Sequence, residues 1–162
     1  MTKESQTLLS SLASQREHVL GILEGLSAED LQRPMLPSQW TCAGLVHHLA
    51  IDVEWFWFRA VVAGEPWPED EAGNAWLVPP DLTAGAVLDL YRQEIERADA
   101  ILAATSLDSP PAWWPDDLFG GWRLDDVREI VLHVIAETAC HAGHLDAARE
   151  LIDGQQWIVL TE

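Results

Sequence analysis

Residues 124–154, LDDVREIVLHVIAETACHAGHLDAARELIDG, carry one long helical pattern with ionisable groups on its core side. At about 100° per residue, and taking His133 as the origin, Glu137 falls at about 40°, His141 at about 80° and His144 at about 20°. The apolar residues Ile130, Val134, Ala148, Leu151 and Ile152 fall in the same sector, whereas Arg128, Asp146, Arg149, Glu150 and Asp153 turn away from it. A helix of this pattern buries its apolar side, and here it must take a carboxylate and imidazoles with it. Such groups are costly to remove from water unless each is paired, hydrogen-bonded or bound to a cation. The stretch therefore predicts a helix packed inside a bundle, with a polar cluster in need of a partner.

Three further helical patterns precede it. Residues 2–25 hold Leu8, Leu12, Val19, Leu20, Ile22 and Leu23 among polar neighbours, with Gly25 as the stop. SAEDL at 27–31 starts on a capping serine and predicts a short turn before Pro34 and Pro37. Thr41 is the expected N-cap of a second helix running to about Gly64, on which Leu45, Asp52, Trp55, Phe56 and Arg59 share the face of His48 and His47 points elsewhere. A third helix starts near Asp81 or Thr83, with Val87, Leu90, Tyr91, Ile95, Ala98 and Leu102 on its apolar side. Residues 65–80 and 106–122 are rich in proline and lack periodicity, so they read as irregular connections. The segment at 155–162, QQWIVLTE, is readable as strand or coil. Four helical patterns with almost no alternating segment predict an all-α four-helix bundle. Its long connections suit a crossover topology better than tight antiparallel turns.

A chain of 162 residues fits one domain over 1–162. Lys and Arg total 9 against 27 Asp and Glu, a formal charge of -18, so the basic footprint of a nucleic-acid binder is missing and an anionic membrane is a poor partner. No apolar stretch approaches the ~20 residues of a membrane span. The N-terminal MTKESQTLLSS lacks the apolar run of a signal peptide. Cys42 and Cys140 have neither zinc-cluster nor disulfide-framework spacing. Reduced thiols fit a cytoplasmic protein.

Glu137 and His141 are four apart, which stacks their side chains one turn apart on a helix. Divalent ions such as zinc accept imidazole nitrogen and carboxylate oxygen, and a catalytic site takes three protein ligands and keeps one position open. A third ligand has to come from another helix, and His48 is the histidine on the core side of the second one. A hydrogen-bonded polar cluster without metal is the other reading of the same three residues.

Trp40-Thr41 followed by His48-Leu49, and then Glu137-Thr138-Ala139-Cys140-His141-Ala142-Gly143-His144-Leu145-Asp146, resemble the DinB-like superfamily of metal-binding four-helix proteins. Within it they are most similar to the mycothiol-dependent S-transferases. The resemblance runs from the first helix to the Asp153-Gly154 stop. It implies a DinB-like domain with up-down-down-up topology, frequent homodimers, and a divalent ion, zinc first with nickel or another as alternatives. By motif position the implied ligands are His48, Glu137 and His141. Arg123 stands where relatives usually have a threonine or serine cap, and Cys140 where a basic residue is common. Relatives that isomerise maleylpyruvate carry an additional C-terminal domain for which this chain is too short, so that activity is not carried over.

The expected function is transfer of a low-molecular-weight thiol, mycothiol by resemblance, to an electrophilic substrate. The alternatives are metal-dependent hydrolysis and a non-catalytic metal- or ligand-binding dimer. Asp52 and His144 are expected to orient ligands or line the pocket. Arg59 would hold a substrate carboxylate or, in the preferred reading, a neighbouring acid. His133 reads as a satisfied core histidine, and His18 and His47 as surface or packing residues. Trp55, Trp57, Trp76, Trp113 and Trp114 would wall a cavity or fill the core. Cys42, at a helix start, reads as an inert buried thiol.

Overall fold

A computed structural model describes residues 2–67 and 73–157, and among them there are helices and no strands. The chain runs through α1 (Lys3–Ile22), α2 (Ala28–Gln32), α3 (Cys42–His48) continuing directly into a π-helical segment, π1 (Leu49–Val62), then α4 (Ala84–Ala104), α5 (Asp116–Phe119) and α6 (Val127–Asp153). The architecture is the all-α one expected. α1 packs along α6, π1 along α4, and α6 also lies against π1.

The helix starts are where short polar side chains satisfy the first free N–H groups. Thr2, Ser27, Thr41 and Thr83 each accept a hydrogen bond from the backbone three residues on. The last helix starts slightly later than residue 124. Its cap is Asp126, which accepts from the Glu129 N–H, while the Glu129 carboxylate accepts from the Asp125 N–H. This reciprocal pairing takes the role that a threonine or serine at 123 would otherwise have. Gly154, at φ 77°, closes the same helix in the left-handed conformation and donates to Glu150 O at 3.0 Å.

The second helix departs from expectation in its bonding. It begins at the Thr41 cap, but its hydrogen bonds widen to the i→i+5 pattern from Leu49 onward. Nearly every face of this stretch is buried, including Leu49, Val53, Phe56, Trp57, Phe58 and Val61. With apolar residues all round there is no periodicity from which to tell a π-helix from an α-helix. The connection at 106–122 is also less irregular than expected, since it contains α5. Its backbone closes helix ends: Ala112 and Trp113 donate to Val62 and Val61, and Ser109 and Leu107 accept from Val127 and Arg128.

Two positions on α6 reverse the expectation from the helical wheel. Arg149 is buried at 2% exposure and Leu151 is 55% exposed. The Arg149 guanidinium donates to the carbonyls of Ile22 and Glu24, and to Asp153 and Gln155. It thereby caps the C-terminal end of α1, an interaction that fits arginine better than leucine. The segment 158–162 lies outside the described residues, so the strand-or-coil alternative is addressed only at 155–157, where no strand forms.

Between α1, π1 and α4 lies a buried ionic group. Arg16 makes a two-pronged pair with Glu54, at 2.7 and 2.6 Å, and reaches Asp99 at 2.7 Å. Burial pushes the Glu54 carboxyl up, and the guanidinium pulls it back towards ionisation. Removing one partner of such a pair leaves the other uncompensated. Arg16→Met is expected to cost about 3–5 kcal/mol, read as a lower urea midpoint. The double variant Arg16→Met/Glu54→Leu should recover more than half of that loss.

Candidate metal centre

α3 and α6 bring three chemistry-bearing side chains together. One ligand-capable atom each of His48, Glu137 and His141 lies within 4.8 Å of the other two. His48 is the last residue of α3, at the point where α-helical bonding gives way to π-helical. Glu137 and His141 sit one turn apart in the middle of α6. The histidines are well covered, with side chains 12% and 9% exposed, whereas Glu137 is 39% exposed.

The hydrogen bonds allow both imidazoles the ligand form. His48 Nδ1 lies 2.8 Å from Asp52 Oδ2. An ionised carboxylate only accepts, so Nδ1–H donates to Asp52 and Nε2 carries the lone pair. That Nε2 is buried and has no hydrogen-bond partner among the described residues. His141 Nδ1 lies 3.3 Å from His144 Nδ1, and His141 Nε2 lies 3.2 Å from Glu137 Oε1. In the tautomer that gives Nδ1–H to His144, Nε2 turns a lone pair towards the Glu137 carboxylate and a cation between the two would satisfy both; in the other, Nε2–H donates to Glu137 directly. Burial and the nearby His48 hold the His141 imidazole below its usual pKa, against the pull of Glu137. Two lone-pair nitrogens and a carboxylate oxygen, at this spacing and with a buried atom unsatisfied, fit a divalent ion of borderline softness.

Asp52 and His144 thus hold the two imidazoles in orientation, as hydrogen-bond acceptors behind ligating imidazoles do around metal sites. Arg59 is engaged elsewhere: it donates to Glu65 and Glu94 and lies 4.4 Å over the Trp55 ring. His133 is packed among aromatic rings, against Trp57 and Trp122, and burial lowers its pKa. His18 pairs with Asp146 and stacks on Trp157.

Among the tryptophans expected to wall a cavity or fill the core, one lies against the triad. Trp76 stacks on His48 with ring centroids 4.4 Å apart and meets His141 at 5.4 Å. Its segment is seated on α3 by two residues. His47 Nδ1 donates to Ala75 O at 2.7 Å, and Gly44 leaves room for the backbone, because a Cβ there would sit 2.4 Å from Trp76 O. A glycine and a histidine in the same helical turns before His48 were the available signals, and neither names a partner in a distant loop. Residues 68–72 of the 65–80 connection, with most of its acidic run, lie outside the described residues.

Residues 7–154 match the family model of the mycothiol-S-transferases. The chain belongs to that family. No curated protein and no solved structure shows significant similarity to it. The family assignment covers all of the geometry above, since its span contains α3, π1 and α6 entire.

The two cysteines of this mycothiol-S-transferase family member differ in environment. Cys42 is buried and its thiol is pushed up to about 11, mainly by burial, whereas Cys140 is exposed. Iodoacetamide on the native protein should therefore alkylate Cys140 and spare Cys42, with both modified after unfolding, as mass spectrometry reads. For the triad, zinc or nickel titrated into chelator-treated protein should bind one ion per chain. His48→Ala and His141→Ala should abolish that binding with the far-UV spectrum intact, and Asp52→Asn should weaken it about 10–100-fold.

Proposed function

We propose that this chain is a divalent-metal-dependent S-transferase that uses mycothiol as its thiol and joins it to an electrophilic small molecule. The observation that carries the reading is the buried, partnerless Nε2 of His48 beside the Glu137–His141 pair in a chain of this family. Zinc is the ion we propose, with nickel as the alternative, since the donor set of two imidazoles and one carboxylate suits both.

A bound divalent ion would supply Lewis acidity that brings a thiol's pKa towards neutrality. The chain's own residues do the rest. His48, Glu137 and His141 hold the ion, Asp52 and His144 keep the imidazoles turned inward, and Trp76 keeps water from the His48 side. In the transfer, the thiol proton leaves to solvent and the sulfur forms a bond to the electrophilic carbon. A leaving group departs with its bonding pair, or, at an activated alkene, the displaced π pair moves to the neighbouring carbon and takes up a proton. The sugar and inositol of mycothiol are uncharged, which suits a chain of net charge -18 better than a polyanionic ligand.

Metal-assisted hydrolysis is the weaker reading, because it needs a free general base. Asp52 is already bonded to His48, and Glu137 is taken up as a proposed ligand. We place the protein in a reducing cytoplasm, consistent with its two free cysteines, and propose that it acts as a homodimer. Metal analysis of the protein as purified, followed by an assay of mycothiol with monobromobimane, tests the function. Conjugation that falls to background in His48→Ala and His141→Ala is expected. Turnover of esters or amides without thiol would instead establish the hydrolase.

A further inference from the structure

The triad is covered by Trp76 on its His48 side and open at Glu137. One turn earlier on α6, about 6 Å along the helix axis, stands His133. Its ring meets Trp57 at 4.7 Å and Trp122 at 5.5 Å. Trp57 stacks nearly parallel on Phe119 at 5.7 Å, and Trp122 meets Phe119 at 5.3 Å and Trp57 at 6.1 Å. Rings from π1, from the 106–122 connection and from α6 therefore form one continuous aromatic surface that begins a helical turn from the metal ligands. Trp57 lies within the core at 4% exposure, but Trp122 is 44% exposed. Its indole meets four other rings, those of Trp57, Trp114, Phe119 and His133, and the residue still keeps almost half of its surface open to solvent. A residue serving only the core would be covered, and a fixed, half-open aromatic face is what a planar ligand needs.

We infer that Trp122, His133 and Phe119 form the acceptor subsite of the transferase, which binds the planar, uncharged, apolar body of the electrophile and sets its reactive carbon towards Glu137 and the metal ligands. This rests on the transferase reading. A one-turn separation matches a molecule with one ring on the aromatic surface and a reactive carbon at its edge. An anionic acceptor is disfavoured, because Glu137 stands at the opening and the chain is strongly acidic. Aliphatic acceptors reach the triad without using the rings, so the subsite is a device for selectivity.

Two measurements separate the subsite from the activity it rests on. Titration of the metal-loaded protein with 1,3-dinitrobenzene, a planar neutral ring without a halide leaving group, reads binding without turnover. Trp122→Ala is expected to weaken binding about tenfold, the scale of one stacked aromatic contact. Trp122→Phe should restore most of it, and Leu151→Ala, exposed near the far end of α6, should bind as the parent does. In the transfer assay, the ratio of kcat/KM for 1-chloro-2,4-dinitrobenzene to that for iodoacetamide should fall about tenfold in Trp122→Ala and recover in Trp122→Phe. No binding of dinitrobenzene by the parent, equal binding by parent and Trp122→Ala, or an unchanged aromatic-to-aliphatic ratio overturns the subsite. Trp122-dependent binding in a protein that transfers no thiol supports the subsite and removes the transferase reading.

Discussion

Taking an ionisable side chain out of water costs several kcal/mol unless another group replaces its hydration, and the bundle is arranged around that cost. Arg16 and Glu54 replace each other's water across α1 and π1, Arg149 spends its donors on the carbonyls ending α1, and Glu94 is met by Arg59 and Arg97. These groups join helices distant in sequence and are satisfied by the chain itself. The triad differs. Its outer nitrogens are met by Asp52 and His144, but His48 Nε2 has no partner among the described residues and His141 Nε2 faces the Glu137 carboxylate. The same constraint that makes the arginine pairs structural leaves the triad able to hold a cation.

Where the triad sits follows from the change of helical bonding. His48 ends the α-helical part of its helix, and Leu49 begins the wider π turn. π segments concentrate at functional sites because an inserted residue re-aims the side chains beside it. Here the switch falls between the candidate ligand His48 and Asp52, whose carboxylate still reaches the imidazole from four residues on. Beyond Asp52 the π segment sends Phe56 and Trp57 into the aromatic cluster. One element thus supplies both a candidate ligand with its orienting carboxylate and a base for the neighbouring rings.

Residues that follow a local rule were legible, and those that answer a distant partner were not. Thr41, Thr83 and Gly154 cap helices by contacts within three or four residues, so their roles can be read from the string alone. The Glu137–His141 spacing is equally local, and their shared face with the apolar residues of α6 placed them inside. Arg149 defeated the wheel because its polar targets are the carbonyls of Ile22 and Glu24, more than a hundred residues earlier. Glu54 sits between Val53 and Trp55 and gives no sign that Arg16 is waiting for it. Trp76 was one of five tryptophans readable as cavity wall or core filler, and only the fold singles it out by laying it on His48. Periodicity reports which face is buried; it does not report what else is buried there.

The asymmetry of cover around the triad carries this argument into chemistry. Trp76, seated by Gly44 and His47, shields the imidazoles from one side, so charge held there acts through a medium of lower effective dielectric than water. Glu137 keeps partial access to solvent, so a reactant approaching a proposed ion from that side would pass a carboxylate, with Trp122 also open to solvent. A thiol attacking a carbon needs both partners held in one orientation, and such holding contributes several kcal/mol by removing the entropy of their encounter. In the proposed transfer, a covered side that fixes the imidazoles and an open, ring-lined side that would fix the second reactant divide that task between them. An interior closed all round would bind an ion and admit no substrate, and one open all round would admit water to the ligands. The observed arrangement, half closed by a loop tryptophan and half open along α6, meets both demands with side chains drawn from four segments of one bundle.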